Sequence, residues 1–130
     1  MNKAQFVQHA LTSKEVTLEG FENPVRIRKM SGYDYARLID WQINLPEDLV
    51  GSKQAQVMFG VKTITACLLD DETGKPMFDD SDFDVVSALP QEVFDVLFYE
   101  AAVLSKLIPE QSEAVEEPAT PAEKPAKGKK

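Results

Sequence analysis

The stretch 57–69 constrains this chain more than any other, because Lys62 is its only charge. Val57, Met58, Phe59, Val61, Ile64, Ala66, Cys67, Leu68 and Leu69 fall on nearly every side of a helical period. A helix of that kind has no face for water, so it belongs at the centre of a fold with other elements laid over it. Ser52 is placed to cap it, which predicts a helix over 53–69. The segment then breaks into an acidic turn, Asp70-Asp71-Glu72-Thr73-Gly74-Lys75-Pro76, followed by a short apolar step at Met77-Phe78. Leu68-Leu69 and Met77-Phe78 flank the turn and are expected to pair briefly as extended chain.

The cover for this central helix comes from both sides in sequence. After the turn, Ser81 or Asp80 is set to cap a short helix over 82–88, which Leu89-Pro90 ends. Pro90 suits the first turn of another helix, and Glu92 puts a negative charge near its positive N-terminal end. That last helix, 91–107, carries Val93, Phe94, Val96, Leu97, Phe98, Ala101, Ala102, Leu104 and Leu107, an apolar stripe wider than one core contact needs. On the N-terminal side, 3–11 has Phe6, Val7, Ala10 and Leu11 on one helical face. Residues 15–19 and 25–30 alternate polar and apolar around a loop holding Gly20 and Asn23-Pro24, the pattern of a β-hairpin. Val16, Leu18, Val25 and Ile27 would face the core. Glu15 and Glu19 would face solvent or lie across from Arg26 and Arg28, worth about 0.2–1 kcal/mol per pair. Ser31, with Asp34 three residues on, starts a helix to Ile43 on which Tyr35, Leu38, Ile39 and Gln42 or Ile43 recur at helical spacing. Pro46 and Gly51 punctuate the loop that follows. The expected fold class is therefore α+β and mostly α-helical: an N-terminal β-hairpin followed by a bundle of about four helices.

From Pro109 the composition changes. Pro109, Pro118, Pro121 and Pro125 sit among Ala, Glu and Lys, with Val115 the sole large aliphatic. Such a segment buries too little surface to offset its ordering entropy, so 1–108 is expected to be one globular domain and 109–130 a disordered tail.

Composition excludes several functional classes. The net charge of −8 opposes binding to nucleic-acid phosphates. One cysteine, Cys67, permits no disulfide within the chain, and a reducing compartment is expected. Residues 1–6 lack the apolar core of a signal peptide, and no uncharged run reaches the ~18 residues of a spanning helix.

The acidic cluster Asp70, Asp71, Glu72, Asp79, Asp80, Asp82 and Asp84 invites comparison with a calcium loop. Such a loop wants Gly at its sixth position and Glu at its twelfth. Counted from Asp70 the sixth position is Lys75; counted from Asp80 it is Val85. These acids read instead as turn formers and helix caps. His9, the single histidine, lies on a short amphipathic helix and is expected to face solvent; Cys67 is expected to be a buried, inert thiol. No phosphate loop, His/Cys metal pair or cofactor motif is present, so no catalytic residue, metal or cofactor is assigned. The candidate functional residues belong to a protein-binding surface: Phe94, Phe98 and Leu104 on the last helix and Trp41, which is offset from its helix's main stripe. The wide stripe has two readings, packing between two elements of its own fold or an exposed groove for a partner helix or second subunit.

Three segments give the chain a family resemblance. They are 25–34, a strand leading into a polar-capped helix; 66–78, an apolar helix end with its acidic Gly-Lys turn and apolar step; and the acidic cap Asp79-Asp80-Ser81-Asp82-Phe83 with the two helices after it. In this order and spacing, across residues 15–108, the chain resembles the tail assembly chaperones of long-tailed, lambda-like and HK97-like bacteriophages, in their short form. The resemblance implies a non-enzymatic protein of the host cytoplasm. It would bind and solubilise the tape measure protein and assist tail tube assembly without entering the mature virion. Implied partners are the tape measure protein, the tail tube protein, a longer form made by programmed frameshift, and other copies of itself; neither nucleic acid nor membrane is among them. Lysine codons are A-rich, so Lys127-Gly128-Lys129-Lys130 fits a slippery frameshift site and equally a plain solubilising tail. The alternative functions are a structural tail or head-tail connector subunit and a small regulatory adaptor that binds a host protein.

Overall fold

A computed structural model of the chain describes residues 1–109. The tail expected over 109–130 lies, apart from Pro109, outside the described residues. Among these, the elements run α1 (Lys3–Ala10), β1 (Ser13–Val16), β2 (Val25–Arg28), α2 (Gly32–Ile43), a 3₁₀ turn (Glu47–Leu49), α3 (Lys53–Cys67), β3 (Leu68–Leu69), a second 3₁₀ turn (Asp80–Asp82), α4 (Phe83–Ser87) and α5 (Gln91–Leu104). The class is the expected one: an α+β fold, mostly helical, with four α-helices after the hairpin.

The hairpin pairs Val16 with Val25 and Glu15 with Arg26, whose side chains form a 2.9 Å ion pair. Val16, Leu18 and Ile27 are buried, and Val25 packs against them half-buried. The first strand starts and stops earlier than the alternation predicts. The chain already turns at Leu18, whose carbonyl accepts from the Phe21 amide, so Leu18 enters the core from the turn. Arg28 finds no Glu19 across from it. Its guanidinium runs to the end of α3, where Nε donates to the Ala66 carbonyl at 3.0 Å, and to Asp34 at 3.3 Å. A cation there serves one of the last-turn carbonyls a helix leaves without an internal partner.

The sheet has a third strand that the periodicity did not reveal. Leu68-Leu69 continues α3 as extended chain and pairs antiparallel with Ile27 and Arg26. The acidic turn then folds back and sets Leu68-Leu69 beside 76–77, the brief extended pairing the sequence leads one to expect. Leu69 bridges to Pro76, and the Met77 amide donates to the Leu68 carbonyl at 2.9 Å. Gly74 makes this possible with φ +73°, a backbone that costs glycine little.

Helix α3 is the centre of the fold, packed by α5, α4 and, more lightly, α2. Its C-terminal half is the buried part: Val61, Thr63, Ile64 and Cys67 are at or near zero exposure. The buried Thr63 hydroxyl is satisfied by donating to the Phe59 carbonyl one turn back. On α2, Ser31 caps the helix by accepting from the Asp34 amide. Only Leu38 of its expected stripe is fully buried; Tyr35 and Ile43 are exposed, because α2 meets α3 along a single edge. On the far side, Asp79 rather than Ser81 or Asp80 opens the next element, accepting from the Ser81 amide and sharing a capping box with Asp82. The expected 91–107 helix stops at Leu104. Lys106 takes φ +62°, and its amide and that of Leu107 donate to the carbonyls of Val103 and Ala102. This is the paired closure common at helix C-termini, here with lysine where glycine is usual.

Candidate protein-binding groove

Helix α5 reaches α3 at Gly60. A Cβ built on Gly60 would lie 2.7 and 2.8 Å from the Cζ and Cε1 of Phe94, so the glycine is what lets that ring lie against the helix. One turn further along α5, Phe98 meets Phe59 edge to face, with ring centroids 5.8 Å apart and planes at 69°. Such pairs are worth about 0.5–1.5 kcal/mol beyond their buried area.

Phe59 and Phe98 also form part of a groove of about 570 Å³. Helix α2 adds Trp41 and Gln42; the connecting loop adds Leu45, Val50, Gly51 and Ser52; α3 adds Ala55 and Gln56. The lining is apolar except for Gln42, Ser52 and Gln56. The loop is tied down where it enters α3. Ser52 caps α3 by accepting from the Ala55 amide at 3.0 Å, and its own amide donates to the Leu49 carbonyl. Lys62 Nζ sits 5.6 Å from the centre of the Trp41 ring, a cation–π contact that fixes one face of the indole.

The four candidate residues from the sequence thus part company. Trp41 and Phe98 come together in the groove, from different helices. Phe94 is half-buried on Gly60, and Leu104 packs half-buried against the core near the other end of α5. Sequence reasoning missed Leu45, Val50 and Phe59. A signal was available: Leu45, Leu49 and Val50 are large aliphatics in a loop that needs none for its turns.

A second, more polar cleft of about 250 Å³ lies between α2, α3 and the chain before α4. Several of its charges are paired: Arg37 with Asp80 at 2.6 Å, and Asp34 with Arg28. The Asp80 contact holds the Arg37 guanidinium above its ordinary value. Among the described residues, no group of His, Cys, Asp and Glu is gathered for a metal ion. The acidic residues act locally: Asp70 accepts from the Glu72 amide, and Asp79 accepts from the Ser81 hydroxyl and amide, which hold its carboxyl below the usual range. Cys67 is fully buried and burial pushes its thiol up, away from the thiolate a nucleophile needs. His9 is exposed. No helix among the described residues is long and apolar enough to cross a membrane.

No family model and no curated protein matches the chain. Among solved structures it is similar to the tail assembly chaperone of bacteriophage HK97, with a TM-score of 0.58 and 19% identity over 78% of this chain and 98% of that one. At that identity the similarity speaks for the fold, and the resemblance drawn from the sequence holds at that level: nearly the whole HK97 chain is matched.

Proposed function

We propose that this protein is a phage tail assembly chaperone, and that the Trp41–Phe98 groove holds apolar helical segments of the tape measure protein before the tail tube forms around it. One observation carries the reading: the fold similar to the HK97 chaperone presents an apolar groove between helices rather than a set of reactive groups. An amphipathic helix laid in such a groove offers large side chains at one-turn spacing to pockets lined by aromatic residues. Each one fully buried contributes about 1.5–3 kcal/mol before ordering costs are subtracted. The net charge of −8 favours keeping a loaded complex in solution.

In this reading the protein acts in the host cytoplasm, makes no covalent change in its client and leaves before the particle matures. Tail tube protein and a longer frameshifted form are further partners. Co-expression with the tape measure protein encoded in the same phage genome tests it. The client should move into the soluble fraction with the wild type and remain insoluble with Val50→Asp, which places a charge at an exposed groove position without touching the core. A client equally soluble, or equally insoluble, with both proteins would overturn the assignment of the groove. Mass spectrometry of purified virions separates a chaperone, absent from them, from a structural tail or connector subunit.

A further inference from the structure

The apolar groove ends on a charge. Lys62 is the single charged residue of segment 57–69, and it stands one turn along α3 from Phe59, on the same side of the helix. Its ammonium lies against the Trp41 ring; Trp41 lines the groove, and Lys62 lines the polar cleft. The two hollows follow one another along the seam between α2 and α3. Helix α2 gives Trp41 to the groove and Asp34 and Leu38 to the cleft, while α3 gives Ala55 and Phe59 to the groove and Lys62 and Thr65 to the cleft. The stack of Lys62 on Trp41 marks the boundary between them.

Lys62 is half-buried, yet it forms no ion pair among the described residues. The acids of the cleft are engaged elsewhere: Asp34 with Arg28, Asp80 with Arg37, and Asp79 with the amide and hydroxyl of Ser81. Thr65, three residues on from Lys62, is half-buried as well. Whereas the Thr63 hydroxyl donates to the Phe59 carbonyl, that of Thr65 has no hydrogen-bond partner among the described residues. Two donors therefore stand as neighbours on one face of α3, both uncommitted. A helix laid in the groove takes water from Lys62. An ammonium that loses water without gaining an acceptor is costly, whereas a carboxylate opposite it makes a charge-assisted hydrogen bond. The stack on Trp41 holds the ammonium beforehand, so less side-chain freedom is lost on pairing.

We propose that Lys62, with the Thr65 hydroxyl beside it, binds a carboxylate of the client: an Asp or Glu three or four residues from the large apolar residue seated between Trp41 and Phe98. This rests on the client-binding reading of the groove and adds to it a register and a rule of selection. Apolar helices that lack the acid, or carry Lys or Arg in its place, bind more weakly because they leave the Lys62 ammonium covered and unpaired.

Overlapping labelled peptides of about 20 residues, long enough as helix to span groove and cleft, test this when they cover the tape measure protein of the same phage genome. Fluorescence anisotropy reads their binding to the full chain as wild type, Val50→Asp, Lys62→Gln and Lys62→Arg. A peptide that binds the wild type and not Val50→Asp is a groove ligand. Replacing its acid by the amide should weaken binding to the wild type about tenfold, as for a lost charge-assisted hydrogen bond. The same replacement should change nothing for Lys62→Gln, which has already lost that contact, while Lys62→Arg keeps most of the affinity. Lys62→Glu should recover binding to a peptide with Lys in place of the acid. Thr65→Val, which leaves the Trp41 stack untouched, should weaken binding about threefold and stands in should circular dichroism show Lys62→Gln misfolded. A Lys62 that only props Trp41 would lower affinity for acid and amide peptides alike. That result, or a Val50-sensitive peptide with no acid near its apolar anchor, overturns the Lys62 assignment and leaves the groove reading standing. Binding by no peptide, or binding indifferent to Val50→Asp, overturns the groove reading, and the Lys62 assignment falls with it.

Discussion

Replacing Gly60 by alanine separates two physical effects of opposite sign. On helix propensity alone the change should stabilise α3 by about 0.8–1.0 kcal/mol, because glycine gives up more backbone freedom. The structure places the new methyl 2.7 and 2.8 Å from the Phe94 ring. Ordinary carbon contacts lie at about 3.5–4.0 Å, so the ring must withdraw by roughly 0.8 Å. Phe94 packs half-buried against the core, so a ring pushed off the helix gives up contacts there. Overpacking of this kind costs about 1–3 kcal/mol, which outweighs the propensity gain and leaves Gly60→Ala about 1 kcal/mol less stable than the wild type. Urea unfolding should show this as a midpoint lowered by roughly half to one molar with an unchanged slope. In a Phe94→Leu background the clash is gone. The same substitution should there be neutral or stabilising, with a coupling of about 1 kcal/mol or more between the two sites. Phe98 is 3.7 Å from the added methyl, an ordinary contact, so the groove wall should stay in place. If Gly60→Ala raises the midpoint in the wild-type background, the argument for a tight α3–α5 crossing at Phe94 is refuted.

Two further outcomes follow from the same kind of accounting. Lys106 holds φ +62° at the end of α5, so Lys106→Gly should raise stability by about 0.5–1 kcal/mol and Lys106→Val should lower it by a similar amount or more, read as opposite shifts in Tm. Burial raises the Cys67 thiol above its unfolded value, against smaller opposing effects from Ser105 and Arg28. The neutral thiol is the form the fold prefers, so its contribution is fully present below the unfolded pKa of about 8.5 and is lost as pH rises through the folded value. Urea midpoints taken from neutral pH to pH 10 should therefore fall more steeply for the wild type than for Cys67→Ala; parallel curves would contradict the burial argument.

Much of this fold is written in local chemistry, and that is the part the sequence exposes. Ser31 and Ser52 each cap the helix they were expected to cap, because a cap needs only one side chain and an amide three residues on. Gly74 marks its turn for the same reason. Leu68-Leu69 was legible as extended chain across the turn from Met77, but its pairing with Ile27 and Arg26 is long-range and leaves no mark in the local sequence. The end of α5 was hidden because its left-handed residue is Lys106, not the glycine that usually announces such a stop. Periodicity named the apolar side of α2 but could not say that only Leu38 would find cover there. The groove was half legible: Trp41 stood out by its offset and Phe98 by the width of its stripe. Phe94 shared that stripe, yet its role against Gly60 depends on where two helices cross, which spacing along one helix does not contain.

Trp41 is the only tryptophan in the chain and it lines the groove, so its emission tests the central claim directly. The measurement is Trp41 fluorescence during titration with a purified, tryptophan-free helical segment of the tape measure protein. The account predicts a saturable blue shift as the indole loses water, with half-saturation moved to much higher concentration by Val50→Asp. A complex that forms with no change in Trp41 emission, and with the same affinity for Val50→Asp, would place the client elsewhere and contradict it.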